Sequence, residues 1–164
     1  MVFVDVPAEL EAGTMPIISD EDQQYLRDIF AERLEGDVTL QLYTLRESGL
    51  TVPGQECGTC RDTHQLMDEL VALSDKLHLE VHDFYKERDQ AEKLGIQEIP
   101  AVVLQGQNKG TLRYIGAPAG YEFASLIEDL IDVARGQTGL QQETLDALAT
   151  LSQPVHFQVF VTPT

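Results

Sequence analysis

The chain has 164 residues, enough for one domain with a substantial core, or for one domain and part of another. Its hydrophobic fraction of 43% is typical of a soluble folded protein and argues against wholesale disorder. The 28 acidic and 11 basic residues give a formal net charge of −17, which would repel nucleic-acid phosphates and anionic membranes. Neither nucleic acid nor a membrane surface is therefore expected as a partner.

The sequence carries no pattern typical of an exported or membrane-spanning chain. No apolar run approaches the roughly 20 residues that cross a bilayer. Residues 1–7 lack the basic and apolar regions of a secretory signal, so a cytoplasmic location is expected. In a cytoplasmic chain, two cysteines in a C-x-x-C spacing are more often catalytic or metal-binding than structural.

The first predicted elements are an irregular lead-in, a helix and a strand. Residues 1–18 contain proline and glycine and show little periodicity. Ser19 is a typical N-cap with acidic residues after it, and Gly36 is a plausible helix end. The apolar positions at helical spacing are Tyr25, Leu26, Ile29, Phe30 and Leu34. Alternation over residues 38–45 then predicts a strand.

The two cysteines lie where a loop meets the second predicted helix. Residues 46–56 contain glycine and proline and predict a loop that leads to Cys57 and Cys60. A helical pattern follows from Arg61 to Leu77. Two cysteines at this spacing can close a small disulfide ring, and the amides and dipole of the helix can stabilise a thiolate. The stretch is therefore interpreted as a dithiol–disulfide site.

The second half of the chain is predicted to alternate strands and helices and to include a hairpin. Alternating and β-branched apolar residues indicate the strands, and Pro100 stands where a proline can enter a sheet. The predicted elements are a strand at 77–84, a short charged helix at 87–94, a strand at 99–105, its hairpin partner at 111–115 and a helix at 123–134.

This order predicts one complete α/β unit followed by the start of another. Strands that alternate with helices indicate a parallel portion of the sheet, and the hairpin adds an antiparallel edge with helices on both faces. The tail has a helical pattern from Leu140 to Leu151 and a strand-like run at 155–161, in the same helix-break-strand order as residues 19–45. The predicted domains are a lead-in at 1–18, a unit with the C-x-x-C at 19–136, and a linker helix with the first strand of a truncated second unit at 137–164.

The C-x-x-C before a helix, together with Ile99-Pro100 before a hairpin and a terminal helix, resembles the thioredoxin/glutaredoxin superfamily. More narrowly, the chain resembles the N-terminal unit of the two-unit protein disulfide oxidoreductases, the glutaredoxin-like proteins. Further stretches that carry the resemblance are 18–20, 81–84, 113–123 and 159–164. The resemblance implies a thioredoxin-like three-layer α/β/α fold with a mixed central sheet.

It also implies a thiol–disulfide oxidoreductase that acts on protein disulfides. Cys57 is expected at the mouth of the helix as the attacking thiolate, and Cys60 one turn in, less exposed, as the resolving thiol. Gly58 and Thr59 are expected to contact substrate, since they keep the ring small and leave Cys57 open to approach.

Ile99 and Pro100 are the other substrate-binding residues that the resemblance implies. A cis bond before Pro100 would turn the backbone of Ile99 outward, where a substrate strand could pair with it. Thioredoxins bury an aspartate on the strand before the site, but residues 38–45 contain none, so the proton acceptor for Cys60 is left open. His64, one turn beyond Cys60, is a candidate base or metal ligand, although a solvated helix position is the favoured interpretation.

Two other functions compete with this interpretation. The C-x-x-C could hold zinc or bridge an iron–sulfur cluster between chains, but no second C-x-x-C or H-x-x-H supplies further ligands. The chain could also be a non-enzymatic interaction module of the same fold. For the redox function no metal and no cofactor are expected. The expected partners are substrate proteins, a thioredoxin reductase-like flavoprotein and, through the strand 155–161, a second copy of the chain.

Overall fold

The computed structural model of the chain describes residues 15–45 and 53–160. The helices and strands are, in chain order, α1 (Asp20–Arg33), β1 (Val38–Thr44), α2 (Cys60–Val71), β2 (Leu77–Asp83), α3 (Arg88–Lys93), β3 (Ala101–Gln105), β4 (Leu112–Ile115), α4 (Tyr121–Arg135) and α5 (Gln142–Ala149). The predicted alternation of helices and strands is confirmed. Among the helices of these two ranges, none is both long and apolar enough to cross a membrane.

Local capping determines where α1 begins. The hydroxyl of Ser19 accepts a hydrogen bond from the amide of Asp22 at 3.2 Å, as the predicted N-cap requires. Three acidic residues in the first turn face the positive end of the helix dipole. Leu26 and Phe30 from this helix are buried in the core. The helix and its start are thus consequences of the sequence pattern.

The end of α2 differs from its prediction. The apolar pattern extends to Leu77, but the helix ends at Val71. The amides of Leu73 and Ser74 bond three residues back, which tightens the last turn, and Leu77 pairs with Val38 in the sheet. A buried leucine fits a helix and a strand equally well, and the sheet partner decides between them. Similarly, β3 begins at Ala101 rather than at Ile99, after the proline.

The sheet is mixed, with the strand order β2-β1-β3-β4. Strands β1 and β2 are parallel, with Val38 opposite Leu77 and Thr44 opposite Asp83. Strand β3 is antiparallel to both β1 and β4. The predicted mixed sheet is therefore confirmed. Because β1 and β2 are parallel, their carboxyl ends meet at one edge of the sheet. The two cysteines come after β1 in the chain.

Helices cover both faces of the sheet, but unequally. Helices α1, α2 and α4 pack on the face that carries Leu40 and Leu42. Strand residues alternate in direction, so Tyr43 points to the other face and joins a smaller cluster around α3. That cluster contains Tyr43, Phe84, Ala91, Ile96, Ala101 and Val103. The three-layer architecture is confirmed, with one thick helical layer and one thin one.

The tail confirms the predicted helix but not the predicted strand. Helix α5 forms, yet none of its side chains in the described structure is buried. Residues 155–160 have no strand assignment, and residue 161 lies outside the described ranges. A strand needs a neighbour to complete its hydrogen bonds. Alternation in the sequence cannot supply one, so the strand prediction for 155–160 is wrong for this structure. The domain boundaries stay predictions.

Three predicted segments lie partly outside the described residues. They are residues 1–14 of the lead-in, residues 46–52 of the loop before the cysteines, and residues 161–164 of the tail.

Candidate functional site

Cys57 and Cys60 form a disulfide with a Cα–Cα distance of 5.5 Å. Cys57 is half-buried, whereas Cys60 is 4% exposed, so the expected difference in exposure is confirmed. Cys60 is the first residue of α2, not one turn into it. The helix therefore begins at the buried sulfur, and the more exposed sulfur lies just before it.

The backbone between the cysteines leaves the exposed sulfur accessible. Gly58 and Thr59 are both exposed. A Cβ placed on Gly58 would meet no described atom within 4 Å, so the surface there is open. Thr59 is the N-cap of α2, but its side chain makes no capping hydrogen bond with the residues that the structure describes. The amide groups of the first turn are thus not taken up by a cap from Thr59, and they remain suited to stabilising a thiolate.

The Ile99-Pro100 peptide bond lies beside the disulfide and is cis, as the resemblance implied. The Sγ atom of Cys57 is 3.7 Å from the carbonyl oxygen of Ile99. Pro100 is buried, and its carbonyl accepts a hydrogen bond from the amide of Gly116 at 2.8 Å. That bond fixes the start of β3 against the end of β4. The structure therefore brings Cys57, Ile99 and Pro100 together from distant parts of the sequence.

The charged residues next to these groups in the sequence are all on the surface. Glu56 precedes Cys57, Glu98 precedes Ile99, and Arg61 follows the buried cysteine; all three are exposed. Solvent screens such charges, so they act on the sulfurs more weakly than buried charges would.

A cleft of about 400 Å³ lies at the carboxyl ends of β1 and β2, and the sequence patterns did not indicate it. Its lining residues are Thr44, Leu45, His64, Val81, His82, Asp83 and Glu87. His82 stacks on Tyr43 with ring centroids 4.7 Å apart, and its Nδ1 lies 2.7 Å from a carboxylate oxygen of Glu87. The only sequence signal for this cleft is that the carboxyl ends of parallel strands share an edge.

Two polar atoms of the cleft are buried without a hydrogen bond to any residue that the structure describes. They are Oγ1 of Thr44 and Nε2 of His82. A buried polar atom without a partner costs free energy, and ordered water commonly satisfies such atoms. The cleft is polar and large enough to hold water molecules.

The middle of α2 is fastened to the residues that precede α1. The carboxylate of Glu69 accepts hydrogen bonds from the amides of Ile17, at 2.9 and 3.0 Å, and of Ile18, at 2.8 Å. Gln65 donates to the same carboxylate at 2.8 Å and to the carbonyl of Met15 at 2.8 Å. Partial burial opposes the charge of Glu69, but these donors outweigh it and lower the pKa of its carboxyl group.

Within residues 15–45 and 53–160, no three His, Cys, Asp or Glu side chains are grouped to hold a metal ion. The two cysteines bond to each other in this structure.

Residues 50–128 match the thioredoxin domain family. An alkyl hydroperoxide reductase component of Xanthomonas campestris pv. phaseoli is 30% identical over 100 residues, which are 61% of this chain and 17% of the relative. NADH dehydrogenase of Bacillus subtilis (strain 168) is 26% identical over 115 residues, which are 70% of this chain and 20% of the relative. The chain thus spans a fifth or less of the length of these curated relatives.

Among solved structures, the protein disulfide oxidoreductase of Aeropyrum pernix K1 superposes with a TM-score of 0.66 and 26% sequence identity. The superposition covers 82% of this chain and 55% of that chain. The likeness therefore extends over most of the residues described here and over about half of that protein.

Proposed function

We propose that this chain is a member of the thioredoxin superfamily and a thiol–disulfide oxidoreductase that acts on protein disulfides through Cys57 and Cys60. The observation that carries the proposal is the disulfide itself. It joins a half-buried and a buried sulfur at the start of a helix, with the carbonyl of Ile99 3.7 Å from the outer sulfur. An accessible sulfur paired with a protected one is the arrangement that two-step disulfide exchange requires.

The proposed reaction balances in two displacements. In the reduced protein, the Cys57 thiolate attacks one sulfur of a substrate disulfide, and the other substrate sulfur leaves as a thiolate. The Cys60 thiol then loses its proton and attacks the sulfur of Cys57 in the mixed disulfide. The bond between Cys57 and the substrate breaks, the second substrate thiolate leaves, and the protein is left oxidised. The same steps in reverse oxidise a substrate dithiol.

The substrate is proposed to be held next to Cys57 by Ile99, Pro100, Gly58 and Thr59. Ile99, on the backbone that precedes Pro100, would pair with an extended substrate segment. The exposed surface of Gly58 and Thr59 would let a substrate backbone come close to the outer sulfur. The closeness of Ile99 to Cys57 supports this arrangement.

The electron donor is proposed to be a flavoprotein similar to thioredoxin reductase. The resemblance to an NADH dehydrogenase and to an alkyl hydroperoxide reductase component supports a chain of electron transfer that starts from a reduced nicotinamide. Such a role belongs to redox homeostasis in the cytoplasm, the location proposed for this chain.

A second copy of the chain is a further proposed partner. The segment 155–160 exposes apolar side chains, among them Phe157 at 79% and Phe160 at 89%. Exposed apolar surface of this kind commonly marks a contact site. Sedimentation of the full chain and of a variant with Phe157→Ser and Phe160→Ser tests this. A mass that falls from dimer to monomer supports self-association, and a monomer in both samples contradicts it.

A redox titration tests the proposed activity. The protein is equilibrated with glutathione buffers, its thiols are trapped, and the oxidised fraction is read by mass. A potential near about −270 mV is typical of a reductase, and one of about −180 to −120 mV is typical of an isomerase or an oxidant. A folded, metal-free sample that never forms the Cys57–Cys60 bond would contradict the dithiol mechanism and favour a docking module.

A further inference from the structure

The resolving step needs a proton acceptor for Cys60. Cys60 is 4% exposed, and apolar surroundings disfavour the charged thiolate. Its proton is therefore best removed as the sulfur attacks, by a base close to it. The fully buried polar residues of the described structure are Thr44 and Thr63, and neither is a base. Strand β1 carries no carboxylate. Within residues 15–45 and 53–160, the candidates that remain are partly exposed side chains near the start of α2.

The spacing along α2 points to one such side chain. Residues four apart on a helix are neighbours on one face, with Cβ atoms about 5–6 Å apart. Cys60, His64 and Asp68 follow each other at this spacing. Asp62, two residues from Cys60, lies on the opposite side of the helix. The hydroxyl of Thr63 is already engaged, since it donates to the carbonyl of Thr59 at 2.8 Å.

Asp68 lies beside the imidazole of His64. Its Oδ2 lies 3.5 Å from Nε2 of His64. A carboxylate at that nitrogen favours the tautomer with its proton on Nε2, which leaves Nδ1 as the proton acceptor. Side chains on a helix lean toward its N-terminus, and for His64 that is the turn that begins with Cys60.

His64 also lines the polar cleft described above, which gives a proton a path to solvent. Oγ1 of Thr44 and Nε2 of His82 have no hydrogen-bond partner among the described residues and would bind water in the same cleft, although Nε2 also lies 3.7 Å from a carboxylate oxygen of Glu80. The titratable groups near His64 are Asp68 on its own helix and His82, Asp83 and Glu87 across the cleft, and the exposed Arg61 lies three residues before it in the sequence. Two of the three carboxylates already have partners, because Asp83 pairs with Lys86 and Glu87 with His82.

We propose that His64 is the proton acceptor for Cys60 in the resolving step, with Asp68 as a positioning residue and the cleft as the exit for the proton. The inference rests on the proposed function. As the Cys60 sulfur attacks the Cys57 sulfur, its proton moves to Nδ1 of His64 and then to water in the cleft. The substrate sulfur leaves as a thiolate, so atoms and charge balance.

The test separates the two displacements. Reduced protein is mixed with oxidised glutathione, quenched with acid at intervals, and the mixed and intramolecular disulfides are quantified by mass from pH 5.5 to 8.5. The first displacement is measured alone in a Cys60→Ser background. We expect His64→Gln to leave the first displacement unchanged and to slow resolution by about 100-fold at neutral pH, the lower range for general base catalysis.

The pH profile and two further variants exclude a merely structural effect. The resolution rate of the natural protein should depend on pH between about 5.5 and 8.5, and the profile of His64→Gln should differ from it in shape. Asp68→Asn should slow resolution by only about two- to fivefold, as expected for an exposed ion pair. His78→Gln is the matched control, because His78 is an exposed histidine on β2 that pairs with Asp37. It should change nothing.

Rescue by free imidazole tests the role of His64 even if the His64 variants are less stable than the natural protein. Added imidazole should restore resolution in His64→Gly without affecting His78→Gln. Resolution within twofold of the natural rate in His64→Gln at every pH, or no rescue by imidazole, would overturn the proposal. Failure of the natural protein to form either disulfide would instead contradict the proposed function, so the two failures are distinguishable.

Discussion

The start and the middle of α2 differ in how completely their polar groups and side chains are partnered. At its start, the Cys57–Cys60 disulfide is partly open to solvent, the first turn has no side-chain cap from the described residues, and His64 one turn later lines a cleft with polar atoms that lack hydrogen bonds. In its middle, Met67 and Leu70 are fully buried, and Glu69 is surrounded by donors. Groups with incomplete partners can take part in chemistry, whereas groups with complete partners hold the fold. The start of α2 is therefore the part suited to chemistry, and the middle of α2 is the part that holds the fold.

The largest effect should come from the reactive end. Cys57→Ser should abolish disulfide exchange, because serine cannot form the mixed disulfide. Cys60→Ser should still react once and then stop as a mixed disulfide with the substrate. Turnover of a protein disulfide and mass analysis of trapped intermediates measure both. The two variants should remain as folded as the reduced natural protein, judged by circular dichroism. Exchange at a normal rate without Cys57 would contradict the assignment of the reaction to the sulfur that lies just before α2.

The second-largest effect should come from a substitution in the buried middle of α2. Leu70→Ala removes a buried side chain from the core and should lower the free energy of unfolding by about 2–5 kcal/mol, through lost burial and the cavity left behind. The redox potential of the cysteine pair should stay the same in the fraction that remains folded. Urea unfolding and the glutathione titration measure the two quantities.

An exposed position provides the control for that variant. Leu148 on α5 is 44% exposed, so Leu148→Ala should cost far less stability. Equal losses at Leu70 and Leu148 would mean that α5 is as well packed as α2.

Sequence patterns predict the parts of this contrast that are local. The Ser19 cap, the C-x-x-C and the apolar periodicity of α4 each act within a few residues, and each appears in the structure. The cis bond before Pro100 follows from the resemblance and not from local preference. The same patterns wrongly assign Leu77 to α2, because a buried leucine fits a helix and a strand equally well.

The remaining features depend on pairing between distant segments. The cleft exists because the parallel register sets Tyr43 beside His82 and Thr44 beside Asp83, about 40 residues away in the chain. Periodicity within one segment carries no information about that register. The helical pattern of α5 likewise predicts a helix without predicting whether any surface will cover it. Long-range geometry of this kind becomes visible only in the structure.

The smallest predicted effect concerns the hydrogen bonds that fix the middle of α2. Glu69→Gln keeps the size of the side chain but removes the charge that accepts bonds from Ile17 and Ile18, and it should cost about 1–2 kcal/mol of unfolding free energy at pH 7. The pKa of Glu69 is lowered in the folded protein. The ionised carboxylate therefore stabilises the folded state at pH values above the pKa that a glutamate has in the unfolded chain. That contribution is lost as the pH falls below the unfolded value, about 4.3, and through the lower folded value.

The difference in stability between the natural protein and Glu69→Gln should therefore be largest at neutral pH and shrink toward pH 3. Glu143→Gln is the matched control, since Glu143 is an exposed glutamate on α5 and should show no such difference. Urea unfolding at several pH values measures both variants. A difference that grows as the pH falls would mean that the carboxylate is not held by these amides. A constant difference would mean that it acts through packing and not through its charge, and the middle of α2 would then be fixed by its apolar side chains alone.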